Sequence, residues 1–144
     1  MDIFTTFDIA ASGLKAQRTR LNTISSNLAN VETTSTPEGG PYKKKSVLFQ
    51  SAPVSSFDTQ LQTQMNQHAE GVKVVKIIED QEPPQKRYDP THPDADKDGY
   101  ISLPNISVMK EMVDMMSATR SYEANTTVIQ SAKRMALKAL EIGG

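Results

Sequence analysis

Apolar residues recur at alternating steps of three and four along both ends of the chain. The N-terminal stripe runs through Ile3, Phe7, Ala10, Leu14, Leu21, Ile24, Leu28 and Val31, with Gln17 as its one polar member. A second stripe follows Val108, Met112, Met115, Thr119, Tyr122, Thr126, Ile129, Ala136 and Leu140. This spacing, kept over four heptads, is typical of a helix that packs along another helix. The sequence therefore predicts assembly rather than chemistry, with both ends seeking helical partners.

Composition points away from a compact enzyme or a nucleic-acid binder. The 144 residues could hold one domain, but hydrophobic content is 37%, with four Phe, four Tyr and no Trp, which is thin for one core. Sixteen basic and seventeen acidic residues leave a formal charge of −1, so no overall field favours nucleic acid or anionic lipid. We expect an elongated or partner-dependent protein.

Several classes of site and segment have no sequence signal. The chain has no cysteine, which excludes disulfides, thiolate metal sites and cysteine nucleophiles. Asp2 and Asp8 stand where a secretory signal would be basic, and no apolar run is long enough for a membrane span. We predict no direct membrane insertion. If the protein is exported, we expect a route that does not use a cleaved signal.

The predicted fold class is α+β, with two long terminal helices packed as a coiled-coil-like pair. Residues 1–31 form the N-terminal helical segment, with the helix itself at 3–31, and Gly13 within it indicates a close approach. Residues 32–106 form a β-rich insert, and residues 107–144 form the C-terminal segment, whose helix we expect over about 107–141.

Within the insert, three short strands are predicted at 42–49, 71–78 and 100–103. Between the first two, residues of about 50–70 are rich in Gln, Ser and Thr and predict a long mobile loop. Pro83, Pro84, Pro90 and Pro93 indicate a turn-rich passage before the third strand.

The helices are too long for the insert to cover. At 1.5 Å per residue they span roughly 44 and 52 Å, more than a β-module of about 60 residues can shield. Their stripes must then meet each other, neighbouring subunits, or both. We expect both helices to be poorly ordered in an isolated monomer and to fold on assembly.

The segment DADKDGYISLPN has the strongest resemblance to a binding site. Its residues Asp94, Asp96, Asp98, Gly99 and Ile101 fall on positions 1, 3, 5, 6 and 8 of a calcium-binding EF-hand loop. Position 12 is Asn105 instead of Glu, and Pro104 prevents a direct exit into a helix. We interpret the segment as an Asp-Gly turn leading into a strand, with weak calcium binding left open, and predict no metal site.

Other candidate groups favour structural roles. Lys43, Lys44 and Lys45 are too few for a nucleic-acid patch and indicate a solvated face or a rim against an acidic neighbour. His68 and His92 have no second ligand at helical or hairpin spacing. No serine lies in a nucleophile elbow and no glycine-rich nucleotide loop is present, so we predict no catalytic residue and no cofactor.

Four motifs resemble the flagellar basal-body rod and hook family. The N-terminal ASGLKAQRTRLNTISSNLANVETTSTPEGGPYKKKSVLF resembles its rod signature, and EMVDMMSATRSYEANTTVIQSAKRM resembles its closing helix, with an Arg-x-Tyr-x-Ala-Asn core. TPEGGPY and YDPTHPDADKDGYISLPN are most similar to the proximal-rod subunits of that family. The resemblance covers nearly the whole chain except residues 51–70.

The resemblance implies a structural protein of the bacterial flagellar basal body, not an enzyme. Its members leave through the flagellum-specific type III export apparatus and polymerise, with copies of themselves and neighbouring rod proteins, into the torque-transmitting rod that crosses the periplasm. Nucleic acid is not an expected partner.

The assembly interface is expected on the helical stripes. We predict that it contains Phe7, Leu14, Leu21, Ile24, Leu28, Met112, Met115, Tyr122, Ile129 and Leu140. Met109, Met112, Met115 and Met116 could form an adaptable binding surface or a packed seam. Asn27, Asn30 and Asn125 are candidates for hydrogen bonds between helices, against a simpler role in capping or surface polarity.

Two alternative functions remain open at this stage. A calcium-sensing module would use Asp94, Asp96 and Asp98 as ligands. A cytoplasmic coiled-coil adaptor would share the helical stripes without being exported.

Overall fold

A computed structural model describes residues 3–53 and 70–143 of the chain. The predicted α+β architecture is confirmed: two long helices, α1 (Ile3–Ala29) and α2 (Val108–Gly143), flank four short strands. The helix predicted to end at residue 31 ends at Ala29, and the second continues two residues beyond its predicted end. The predicted mobile loop falls mostly on residues 54–69, outside the described ranges.

The strands form two antiparallel pairs. Strands β1 (Lys45–Pro53) and β2 (Glu70–Glu79) pair along their whole length, with an irregularity between Leu48 and Phe49 where Val75 is the extra residue. Residues 50–53 and 70, predicted as loop, therefore belong to strands, and β1 begins three residues later than predicted.

The second pair joins β3 (Gln85–Tyr88) to β4 (Tyr100–Leu103). Sequence patterning predicts β4 but not β3. All four residues of β3 are exposed, so it carries no apolar alternation. Gly99, with φ of +80°, turns the chain into β4, and a Cβ there would lie 2.9 Å from Tyr88.

The α1 helix is the central element. Over the residues that the structure describes, α1 packs on α2 and on both strands of the β1–β2 pair, whereas α2 makes no backbone approach to any strand. No helix within this part of the chain is both long enough and apolar enough to span a bilayer.

Small side chains form the seam between α1 and α2. The buried residues there are Ala10 and Ile24 on α1 with Ala118 and Ala132 on α2. A Cβ built on Gly13 would lie 2.9 Å from Nδ2 of Asn125, so the predicted close approach at this glycine is confirmed. Gly13 and the buried alanines thus give the seam short side chains at most of these positions, with Ile24 as its one large buried apolar residue within the described part of the chain.

Three cross-helix contacts fix the register of an antiparallel pair. Asn27 meets Glu111, Arg20 meets Asp114, and Gly13 meets Asn125. At this register Ile3 is level with about residue 135, so the last turns of α2 extend roughly 12 Å past the start of α1.

A buried polar cluster, here called the junction, closes the opposite end of the helix pair. Asn27 is 1% exposed and Glu111 is 2% exposed. Nδ2 of Asn27 donates to Oε2 of Glu111 at 3.0 Å and to the Lys45 carbonyl at 2.8 Å, while its Oδ1 accepts from the Lys45 N–H at 2.9 Å and the Tyr42 hydroxyl at 3.2 Å. Nζ of Lys44 lies 2.7 Å from Oε1 of Glu111 and forms an ion pair with it. The junction joins both helices to the start of β1.

Alanine at position 13 should not give the stability that alanine normally brings to a helix. Gly to Ala in a helix interior is worth about 1 kcal/mol, but here the added methyl crowds the Asn125 amide. We expect Gly13→Ala to gain little or to destabilise the wild-type chain, and to gain about 1 kcal/mol when Asn125→Ala is already present. Urea unfolding of the four variants measures the coupling.

Ala11 provides the matched control, because it is exposed on the same helix. Ala11→Gly should lose about 1 kcal/mol in either background. A Gly13→Ala gain equal to that loss in the wild-type chain would contradict the close approach.

Removal of the buried carboxylate should be among the most damaging single changes. Glu111→Ala leaves the Lys44 ammonium, only 17% exposed, without its partner and removes an acceptor from Asn27. We expect a loss of about 3–5 kcal/mol in unfolding free energy, measured by urea denaturation.

Asp114→Ala is the control, since the Arg20–Asp114 pair spans 3.4 Å and is about one-third exposed on both sides. It should cost at most about 1 kcal/mol. Equal losses for the two variants would show that the junction does not carry this part of the stability.

Candidate assembly surface

Four of the five apolar interface residues predicted on α1 lie beside the seam, not in it. Gly13, Arg20 and Asn27 contact α2, and the next residue after each of them is a leucine: Leu14, Leu21 and Leu28. Phe7 continues the same seven-residue spacing. All four are half-buried, whereas Ile24 is buried in the seam.

On α2, Met115, Tyr122 and Ile129 occupy the corresponding border of the seam. Glu111, Ala118 and Asn125 are on the side of α2 that faces α1, and each of the three border residues lies four residues after one of them. In an antiparallel pair of right-handed helices, residues that follow the seam on each helix turn to the same side. We call the set formed by these residues and those of α1 the apolar flank: Phe7, Leu14, Leu21, Leu28, Met115, Tyr122 and Ile129.

A second apolar surface lies on the first turns of α2. Met109, Met112, Val113 and Met116 are 74%, 52%, 59% and 58% exposed. At about 100° per residue they fall on the side of α2 opposite the buried Ala118, and so face away from α1. We call these four residues the methionine face. Of the four methionines that the sequence groups together, Met115 alone turns to the flank.

The extension of α2 past α1 is the third apolar surface. Leu137, Leu140 and Ile142 are 51%, 72% and 86% exposed on these last turns. Here α2 runs past the helix that covers it elsewhere. We call Leu137, Leu140 and Ile142 the overhang.

The three asparagines have different partners. Asn27 hydrogen-bonds to the opposite helix through Glu111. Nδ2 of Asn30 donates to the Ser26 carbonyl at 2.9 Å at the end of α1, and Asn125 donates to the Ser121 carbonyl of its own helix at 3.1 Å. Asn27 is therefore a junction residue, Asn30 closes α1, and Asn125 is packed against Gly13.

The acidic segment closes on itself. Oδ1 of Asp96 accepts from the N–H groups of Asp98 and Tyr100, both at 2.9 Å, and the hydrogen bond from Tyr100 is the main cause that holds the pKa of Asp96 below its usual value. Oδ2 of Asp94 accepts instead from the Thr34 hydroxyl at 2.6 Å. Among residues 3–53 and 70–143, no three acidic or histidine side chains converge on a point where a metal could bind.

The lysine triplet forms internal contacts. Lys44 pairs with Glu111, and Lys45 lies 3.7 Å from Glu79 and 5.7 Å from the centre of the Tyr42 ring. Lys43 is exposed. Nδ1 of His92 accepts from the Asp94 N–H, while His68 lies outside the described residues.

An open groove of about 360 Å³ lies beside the junction, between α1, β1 and the start of α2. Its charged walls include Arg20, Lys44, Glu111 and Asp114, and these groups pair with each other across it. The groove therefore presents no unpaired charge from these four residues to a ligand.

Sequence reasoning missed Glu111 and Lys44, the two charged members of the junction. A signal was present, since Glu111, Ala118, Asn125 and Ala132 recur every seven residues, one position before the predicted stripe. It was passed over because a glutamate and small residues look like a solvent-facing row.

Two family models match the helical ends of the chain. The model for flagella basal body rod protein matches residues 7–35, and the model for the flagellar basal body rod FlgEFG protein C-terminal region matches residues 97–142. The second match includes the methionine face and the overhang.

Curated relatives match over nearly the whole length. The flagellar basal-body rod protein FlgC of Bacillus subtilis is 47% identical, with 99% of each chain covered. The FlgC proteins of Borreliella burgdorferi and Salmonella typhimurium are each 44% identical, with 99% of this chain and 98% and 99% of the relative covered. With such identity over full length, the chain belongs to the FlgC family of flagellar basal-body rod proteins.

Proposed function

We propose that neighbouring subunits dock on the methionine face, the apolar flank and the overhang, and that these contacts polymerise the chain into the rod. Membership of the family makes the chain a structural component of the flagellar basal-body rod and not an enzyme. The finer statements below, on surfaces, partners, export and torque, are parts of this proposal.

One observation carries the proposal: large apolar side chains stay exposed on α2 although one side of this helix is already packed on α1. The methionine face alone presents four of them side by side, each more than half exposed. Contiguous apolar surface on a folded chain favours a protein contact, because leaving it in water costs about 25 cal/mol per Å².

The three surfaces differ from one another and point in different directions. A contact between two different patches is heterologous, and when it does not close into a ring it builds an open helix of subunits. Partners of this kind would be other copies of the chain and neighbouring rod proteins. Contacts spread along helices of 27 and 36 residues would share a twisting load among many side chains.

Delivery to the rod is the remaining part of the proposal. Membership of a family of basal-body rod proteins supports export through the flagellar type III apparatus into a periplasm-spanning rod. That the helices of an isolated monomer are poorly ordered stays a prediction, which amide exchange in dilute solution can test.

Charge on the exposed surfaces should block incorporation into the rod without unfolding the chain. Met112→Asp and Leu140→Asp alter side chains that are 52% and 72% exposed, so the packing of α1 on α2 is left in place. We expect a loss of swimming and at least a tenfold fall, worth about 1.4 kcal/mol, in the amount of the chain recovered with purified basal bodies. Immunoblotting of the basal bodies measures it.

Gln130→Asp is the control, because Gln130 is an exposed polar residue of α2 outside the three surfaces. It should leave swimming intact, and circular dichroism should show equal helix content for all three variants. Normal incorporation of both Met112→Asp and Leu140→Asp would contradict the proposed docking surfaces.

Half-buried flank positions provide a second comparison. Leu21→Asp and Ile129→Asp alter half-buried residues, so we expect loss of rod assembly and motility together with lower unfolding free energy, while the protein stays exportable. Normal swimming in either variant would argue against packing through the flank.

A further inference from the structure

The methionine face has a chemical property that leucine or valine would not give it. Met109, Met112 and Met116 place three thioethers on one side of α2, at 74%, 52% and 58% exposure. Within the described ranges no strand approaches α2, and α1 packs on its opposite side. Solvent and small solutes therefore reach all three sulfurs in the unassembled subunit.

Two other methionines of the same helix serve as references. Met115 is half-buried on the flank, between the seam and solvent. Met135 is 60% exposed but lies far along α2 from the methionine face. The chain thus offers exposed methionines on the face, a less exposed one next to it, and an exposed one away from it.

We propose that Met109, Met112 and Met116 form an oxidation site at which a hydroperoxide converts the thioethers to sulfoxides and thereby weakens docking of neighbouring subunits. This inference rests on the proposed assembly role of the methionine face. It adds a covalent modification that would keep a damaged or oxidised subunit out of the rod.

The reaction needs only the thioether and the peroxide. A sulfur lone pair attacks one peroxide oxygen, so that an S–O bond forms and the O–O bond breaks. Sulfur gives up two electrons, and the attacked oxygen loses its proton. The other oxygen takes up a proton and leaves as water from hydrogen peroxide or as an alcohol from an organic hydroperoxide. The product is methionine sulfoxide, which dedicated reductases return to methionine.

The sulfoxide opposes docking because it is polar where the surface is apolar. Each one adds a strong acceptor to a face whose fourth member is Val113. Burying an acceptor without a donor costs free energy, and three of them share one small surface. We expect docking to weaken by at least about tenfold, the change that corresponds to 1.4 kcal/mol.

The first experiment measures selectivity on the purified full-length chain. The protein is treated with hydrogen peroxide for increasing times, digested, and each methionine peptide is followed by mass spectrometry for the gain of one oxygen. Met109, Met112 and Met116 should oxidise several-fold faster than Met115 and at rates similar to Met135. Equal rates for Met115 and the three face methionines would overturn the assigned site.

The second experiment measures the effect on assembly in flagellated cells. Strains carry the wild-type chain, the triple variant Met109→Leu, Met112→Leu and Met116→Leu, or the single variant Met135→Leu. Each strain grows with and without hydrogen peroxide, and the chain in purified basal bodies is compared with that strain's own untreated sample. Any change that a variant makes to untreated assembly is thereby removed from the comparison.

Under peroxide, wild type and Met135→Leu should lose at least tenfold of the incorporated chain, and the triple variant should lose much less. Treatment of oxidised purified wild-type chain with methionine sulfoxide reductases should remove the added oxygens. Equal peroxide losses in the triple variant and wild type would overturn the proposal, as would full incorporation of a chain shown to be oxidised at all three positions.

These outcomes are separate from failure of the proposed function. If the untreated wild-type chain were absent from basal bodies, or if Met112→Asp incorporated normally, the docking surface itself would be wrong. If untreated assembly behaved as proposed and only the peroxide arm failed, the oxidation site alone would be wrong.

Discussion

The close approach of α1 and α2 determines the rest of the structure. Gly13 lies where a Cβ would come within 2.9 Å of Asn125, and Ala118 and Ala132 are buried on the facing helix. At these positions the two helices leave room only for small side chains. Leucines and methionines that would normally fill a helix seam are therefore moved to its borders or to the far side, where they remain available to other molecules.

The junction turns this helix pair into a defined platform. Since α2 makes no backbone approach to the described strands, its relation to the insert depends on side chains at one end. Asn27 uses both its amide nitrogen and its oxygen there, bonding Glu111 on α2 and both backbone groups of Lys45. The same cluster therefore fixes the rotation of α2 and hence the direction of the methionine face relative to the β1–β2 pair.

The helices and most strands could be predicted from sequence because their patterns are long or clearly alternating. Strand β3 could not, because Gln85–Tyr88 is held by pairing with β4 and buries none of its own side chains. The predicted stripes include seam residues such as Ala10 and Ile24, but they omit Gly13, Ala118 and Ala132. A hydrophobic pattern identifies large apolar residues such as Leu21 and Met112. The residues that pack between the helices include small ones, Gly13 and Ala118, which such a pattern does not detect.

The junction shows the same limit for polar residues. Glu111 is 2% exposed, yet a glutamate in the first turn of a helix is ordinarily a surface residue that favours the helix dipole. Its burial depends on Lys44 and Asn27, which are 67 and 84 positions away in the chain, so the seven-residue spacing could place Glu111 in the seam row but could not identify its partners. The family resemblance, by contrast, rests on motifs that do not depend on contacts, and the relatives confirm it.

The magnitudes explain why such a subunit would assemble only with several neighbours at once. The four residues of the methionine face are partly exposed, so covering them gains about 1–2 kcal/mol each, or roughly 4–8 kcal/mol together. Bringing two proteins together costs an estimated ~4–15 kcal/mol in lost freedom of motion. One face alone therefore holds a neighbour weakly. A subunit that enters a growing rod can use the face, the flank and the overhang together while its own freedom of motion is lost only once. Weak separate surfaces thus favour addition to an existing end over pairing in solution.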